Sequence, residues 1–204
     1  MAKLLYQGHA SLRIISDAGK VLYVDPYAGD GYDITADLVA ITHDHYDHNA
    51  VHLVPVSSRT IVIRWSDALS DDVYREFDYF GYHIKAVPAG NEKHDPAVCV
   101  GYLITVDDVL IYVAGDTSYM PFMDRMANLD IDYCFLPIDG IFNMGPDEAS
   151  RVAEIIKPKH LIPYHMKPGA LFDIQQDMRV RYDGAMLVRP GDIIDLVPGG
   201  KDKA

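Results

Sequence analysis

Basic residues are scarce in this chain: 18 Lys and Arg stand against 30 Asp and Glu, a formal net charge of −12. No stretch carries more than two adjacent bases. A nucleic-acid binder needs a basic stripe, so nucleic acid is excluded as an expected partner. A small anionic substrate stays compatible if metal ions supply local positive charge. Cysteine is nearly missing as well. Cys99 and Cys134 each sit inside an apolar, strand-like run, which argues for reduced core thiols and against a disulfide framework. Long hydrophobic runs are also lacking. Runs such as Val109 to Ala114 fall far short of the roughly 20 residues that cross a bilayer, so no membrane partner is expected. Met1 to His9 carries one base, a brief apolar patch and early polar residues, unlike a signal peptide. A cytoplasmic protein is the expectation.

What remains is near-average globular composition, with 49% hydrophobic and 24% charged residues. No linker, repeat or low-complexity segment divides the 204 residues. One α/β domain over 1–204 is expected, with 198–204 as a frayed tail. Short strands are predicted at Leu4–Tyr6, Ser11–Ile15, Val21–Val24, Ala36–Ile41 and Thr60–Ile63. Leu69, Val73 and Phe77, spaced at i, i+4, i+8 behind the N-cap candidate Ser66, predict a helix. Further strands are expected at His83–Val87, Val98–Val106 and Val109–Val113, with Asp107-Asp108 as the turn between the last two. Tyr133–Pro137 and His160–Pro163 complete the strands of the core. Pro146, followed by Asp147 and Glu148, starts a helix running to Ile156. A short helix near Leu171–Met178 and a last β-pair around Ala185–Leu196 close the chain.

The informative segment is Thr42-His43-Asp44-His45-Tyr46-Asp47-His48. Three imidazoles and two carboxylates directly follow an apolar run, and the ends of buried strands are where α/β sites form. His43 and His45, at i and i+2, can converge on one cation. Asp47 and His48 point elsewhere and suit a second. Asp116 and His165 likewise follow apolar runs, whereas His94 precedes one. Singly, Asp116 is equally a helix cap and each histidine an ordinary loop residue. Together with the His loop they make five His and two Asp, a workable count for two metal ions with nitrogen and oxygen ligands.

THDHYDH resembles the T-H-x-H-x-D-H signature of the metallo-β-lactamase superfamily. The resemblance extends over nearly the whole chain, through Gly8-His9-Ala10-Ser11, Asp25-Pro26-Tyr27, Gly115-Asp116-Thr117, Asn143-Met144 and Ile162-Pro163-Tyr164-His165. These motifs are similar to the branch of metal-dependent hydrolases typified by L-ascorbate-6-phosphate lactonase. The resemblance implies an α/β/β/α sandwich with the site along one edge. It implies His43, His45 and His94 on a first metal, Asp47, His48 and His165 on a second, and Asp116 bridging them. Asp25 would brace the His loop from behind. His9 would border the metals, contacting substrate or shuttling a proton, or else be a buried structural residue. Branch members usually carry Thr where this chain has Asn143, which points to a different substrate if that side chain faces the pocket.

The activity so implied is hydrolysis of a small ester, lactone or phosphate-containing metabolite by a hydroxide shared between two Zn2+ or Mn2+ ions. Asp47 and Asp116 would help orient the hydroxide. Tyr164 is a candidate donor to a substrate oxygen and equally a core aromatic. Lys93 and Lys167, which flank ligands, are candidates for a substrate phosphate or carboxylate and equally surface lysines. Two other readings compete: a phosphodiesterase or nuclease of the same superfamily, and a non-catalytic metal-binding descendant. The oligomeric state is open, a homo-oligomer included.

Overall fold

The computed structural model describes residues 1–199; the rest of the tail expected over 198–204 lies outside the described residues. In chain order the strands are β1 Lys3–Gly8, β2 Ser11–Ile15, β3 Val21–Val24, β4 Leu38–Ala40, β5 Ile61–Ile63, β6 Leu69–Ser70 and β7 Val73–Tyr74. There follow β8 Glu76–Tyr79, β9 Tyr82–Pro88, β10 Val100–Val106, β11 Val109–Val113, β12 Tyr133–Pro137, β13 His160–Tyr164 and β14 Ile193–Asp195. The α-helices are α1 Trp65–Ala68, α2 Pro146–Ile156 and α3 Ile174–Asp177. Two six-stranded mixed sheets result, in the orders β14-β1-β2-β3-β4-β5 and β13-β12-β11-β10-β9-β8.

The sheets pack face to face because their strands alternate apolar positions on two faces. In β3, Leu22 and Val24 enter the core between the sheets while Val21 and Tyr23 join an outer cluster. In β11, Val109, Ile111 and Val113 face inward while Leu110 and Tyr112 face outward. Ala149, Val152, Ala153 and Ile156 of α2 cover that outer face of the second sheet. Pro146 at the first turn, two acids behind it and a left-handed Lys157 at the C-cap delimit α2 as the sequence predicts. The outer face of the first sheet is covered more thinly, by the segment around Tyr32–Ala36 and a short 3-10 turn at Val51–Leu53.

Two sequence-based expectations fail. The helix predicted through Phe77 is a single turn, α1, followed by the β6–β7 hairpin and β8. A spacing of four residues is also a multiple of two, so Leu69, Val73 and Phe77 satisfy an extended chain equally well. Asp71 and Asp72, both at positive φ (52° and 59°), make the hairpin turn that decides between them. The expected β-pair over Ala185–Leu196 does not form either. Ala185 makes an isolated bridge to Leu161 in the second sheet, whereas β14 pairs with β1 in the first. The 3-10 helix at Pro121–Leu129 was not expected. The Asp107-Asp108 turn and the β10–β11 hairpin agree with the sequence reading.

Topology brings the chemistry to one edge. β1, β3 and β4 run in one direction within the first sheet. So do β9, β11, β12 and β13 within the second. Their C-terminal ends release His9, Asp25, the His loop, the His94 loop, Asp116, Asp139 and His165. Val100 N–H donating to Thr42 C=O at 3.0 Å and His165 N–H donating to His9 C=O at 2.8 Å tie the two edges together.

Candidate metal centre

Three of the site residues leave their strand ends through a backbone kink. His9 (φ 56°), Asp25 (φ 44°) and His165 (φ 44°) all adopt left-handed conformations. Non-glycine residues hold such angles at some cost, and they cluster at functional sites. Gly115 (φ 67°) turns the chain out of β11 so that Asp116 emerges over the site; a Cβ there would meet Val100 O at 2.8 Å.

The side chains form two groups, His43, His45, His94 with Asp116, and His9, Asp47, His48 with His165; within each, one donor atom per residue lies within 4.8 Å of the others. Asp116 spans both. Its Oδ2 is 3.0 Å from His94 Nε2 and 3.9 Å from His43 Nε2. Its Oδ1 is 3.2 Å from His48 Nε2 and 3.4 Å from His165 Nε2. In the second group Asp47 Oδ2 is 3.1 Å from His9 Nε2 and 3.8 Å from His165 Nε2. Two ligands on a tetrahedral zinc stand roughly 3.3 Å apart, so these separations suit a shared cation.

The imidazoles are held from behind. His43 Nδ1 lies 3.0 Å from Thr42 Oγ1, whose own proton goes to Asp25 Oδ2. His48 Nδ1 donates to Asp25 Oδ2 at 2.8 Å. His9 Nδ1 donates to the carbonyl of Ala170 at 3.0 Å, and His94 Nδ1 lies 3.3 Å from Asn91 Oδ1. For His43, His48 and His94, anchoring Nδ1 in this way leaves the Nε2 lone pairs turned inward, the arrangement that metal-ligating histidines need. His43 Nε2, His48 Nε2, His165 Nε2 and Asp116 Oδ1 are buried and find no hydrogen-bond partner among the described residues. Buried polar atoms are costly to leave unsatisfied. A divalent cation in each group satisfies all four, so the residues fit the metals that the donor set implies.

The electrostatics agree. Burial, reinforced by neighbouring imidazoles, pushes His43 far below the usual histidine range and lowers His45, keeping both neutral and able to ligate. Burial alone would raise Asp47 and Asp116. The hydrogen bond from His9 overcomes it at Asp47, and the charge of His48 and His165 overcomes it at Asp116, so both carboxyls are held below their ordinary value. Without metal, His48 is driven up against its burial by Asp116 and Asp25.

All seven sequence-predicted ligands and His9 therefore meet in space. Asp25 sits behind the loop as the resemblance implied, accepting from Thr42 N at 2.8 Å and Thr42 Oγ1 at 2.6 Å as well as from His48. Other expectations change. Tyr164 is fully buried and donates to Gly115 C=O at 3.2 Å, so it is a core aromatic. Lys167 points toward Asp173 at 4.0 Å, while Lys93 lines the cavity over the metal groups. Asn143 does not face the cavity. Its Nδ2 donates to Asp139 Oδ2 at 2.8 Å, and its Oδ1 lies 3.4 Å from Asn91 Nδ2. It thus joins the residue behind His94 to the residue behind His165. Asp139 itself escaped sequence reasoning: its Oδ2 is 3.2 Å from His165 Nδ1, and its Oδ1 accepts from the N–H groups of Ile141 and Phe142. Its signal was available, a polar residue just past an apolar strand. Asn91 carried none. Cys99 and Cys134 are free and buried, as expected.

Comparison with known proteins agrees with this geometry. Residues 3–165 match the family model described as a β-lactamase superfamily domain. A UPF0173 metal-dependent hydrolase of Thermococcus onnurineus is 31% identical over 226 aligned positions, covering 96% of this chain and all of the relative. A candidate metal-dependent hydrolase of Parabacteroides distasonis superposes with a TM-score of 0.74 at 27% identity, covering 92% of each chain. A metallo hydrolase of Ignicoccus hospitalis shares the fold alone, at 21% identity and a TM-score of 0.71 over 95% of this chain and 97% of its own. With the sandwich, the edge site and these relatives together, the chain belongs to the metal-dependent hydrolases of the metallo-β-lactamase superfamily.

Proposed function

We propose that this protein is a binuclear hydrolase of a small ester or lactone, working with two Zn2+ or Mn2+ ions in the cytoplasm. The observation that carries the reading is the carboxylate of Asp116, one oxygen turned to each His group. When bound, such a metal pair supplies Lewis acidity for a carbonyl and acidifies water near neutral pH. His43, His45 and His94 would hold one ion; Asp47, His48 and His165 the other.

The chain's own residues supply the rest. The two aligned strand-end rows set the spacing of the groups, and buried braces such as Asp25 fix the imidazole orientations. Asp47 Oδ2 faces His9 Nε2 at 3.1 Å. Asp47 and Asp116 would help orient the attacking water, and His9, anchored on Ala170 C=O, keeps the Asp47 carboxylate oriented. Among the described residues no helix is long and apolar enough to cross a membrane. The acid excess disfavours a polyanion such as RNA as substrate.

The test begins with metal content per chain by inductively coupled plasma mass spectrometry, on untagged protein purified without chelator. Near two equivalents, with chelator-sensitive turnover of esters or lactones exceeding that of bis(p-nitrophenyl) phosphate, is the expected result. Faster phosphodiester turnover would favour the nuclease-like alternative. No metal, and none taken up on reconstitution, would overturn the hydrolase reading and leave a binding role.

A further inference from the structure

We propose that the substrate is a monoanionic ester or lactone with an apolar body, and that Lys93 pairs with its charge; this rests on the hydrolase reading above. The cavity over both metal groups, about 370 Å3, is walled by Tyr46, Phe142 and Pro168. Tyr46 and Phe142 are large and exposed. Tyr46 is propped at the rim by an edge contact with Tyr27, ring centroids 5.8 Å apart. Three apolar walls around one opening favour a carbon-rich substrate body over a heavily hydrated one.

Lys93 is the one lysine or arginine among the described residues lining this cavity. Among the described lysines, it and Lys157 stand apart from any carboxylate. Lys3, Lys20, Lys85, Lys159 and Lys167 each stand within 4.0 Å of a carboxylate. Lys93 has no such partner among the described residues, although Glu92 and Asp95 are close in sequence and acids outnumber bases in the chain. An unneutralised cation kept at the mouth of a hydrolytic site is a receptor for one negative charge. A phosphate dianion calls for several converging donors, commonly a bidentate arginine. Here Lys93 is the one side-chain cation beside Tyr46, Phe142 and Pro168, in a cavity also lined by His45, Asp47, His94, Asp116 and His165, which fits a single carboxylate held away from the metal groups.

The experiment uses the metal-loaded enzyme and two esters of matched length, 4-nitrophenyl butyrate and 4-nitrophenyl hydrogen succinate, with 4-nitrophenyl phosphate as the third probe. The wild type is expected to favour the succinate in kcat/KM by about fivefold, the scale of a partly exposed ion pair, with the preference shrinking in added salt. Lys93→Met should bring the ratio of the two esters to near one through KM, and Lys93→Glu should invert it. Phe142→Ala should raise KM for both. A ratio that survives Lys93→Met overturns the proposal, as does an equal loss of kcat on both esters, which would place Lys93 at the reacting oxygen. Faster turnover of the phosphate than of either ester overturns it too. Absence of all turnover in the loaded protein defeats the hydrolase reading itself, whereas turnover without charge preference defeats only this inference.

Discussion

Asp25 offers the sharpest test of how the metal groups are built, because replacing it with Asn changes proton placement and little else. Asp25 is fully buried, and Asn tolerates the left-handed backbone that this position holds (φ 44°). Its Oδ2 accepts from both Thr42 Oγ1 and His48 Nδ1, at 2.6 and 2.8 Å. With Asn, Oδ1 still accepts from the Thr42 amide, and the side-chain NH2 then faces His48. Nδ1 must become an acceptor, so the proton of His48 moves to Nε2. There it can donate to Asp116 Oδ1, 3.2 Å away, but it occupies the lone pair that a metal needs.

The expected magnitudes separate two effects. Replacing the two charge-assisted bonds at Oδ2 by neutral ones and keeping the packing should cost the metal-free protein about 2–3 kcal/mol, a few degrees in Tm for each kcal/mol at this chain length. Metal affinity should fall by about 10- to 100-fold, as for other outer-shell partners of ligating histidines. Chelator competition measures the affinity, and the long-range 1H–15N correlation of the His48 ring reports the tautomer. Asp25→Ala, in contrast, strands three buried donors and should destabilise by about 3–6 kcal/mol. The reasoning is refuted if Asp25→Asn binds metal within twofold of the wild type, or if His48 keeps its proton on Nδ1.

Metal itself should stabilise the fold by mass action: at 100 times its Kd one ion adds about 2.7 kcal/mol, several degrees in Tm, reversed by chelator; an unchanged melting curve would contradict the site. Asn143→Ala should loosen His94 and His165 together, since it unties Asn91 from Asp139. The expected readout is a roughly tenfold weaker metal affinity and a changed visible spectrum of the cobalt-substituted protein; unchanged values of both would show the link to be idle. Asp177 is half-buried, and burial lifts its carboxyl to about 6 against the pull of Arg189. With the folded value above the unfolded one, the native state binds more protons between about pH 4 and 6, so stability falls as pH rises through that window. After discounting for solvent, Asp177→Asn should therefore stabilise by about 1–2 kcal/mol at pH 7.5 and by little at pH 4, read from Tm at both; equal effects at the two values would remove burial of the charge as the cause.

How much of this was legible in the sequence depends on the kind of physics involved. Most of the candidate ligands were visible because they follow the end of an apolar run, His94 excepted, and a buried strand leaves few explanations for an inward-facing His or Asp beyond its tip. Asp139 obeyed the same rule after Tyr133–Pro137, but the following Gly140 gave it the look of a turn residue. The hairpin that replaces the expected helix was misread because Leu69, Val73 and Phe77 fit both periods, and only the Asp71-Asp72 turn breaks the tie. The braces behind the imidazoles were harder for a different reason. Asn91 and Asn143 meet across 52 residues through side chains alone, and such a contact leaves no periodic trace in either segment. The cavity wall is of the same kind: Tyr46, Lys93, Phe142 and Pro168 come from separate loops, and nothing local marks them as neighbours. The candidate metal groups were therefore readable from strand ends and the hydrolase class from the motif resemblance, whereas the loop residues that wall the cavity become neighbours only once the two sheets have closed.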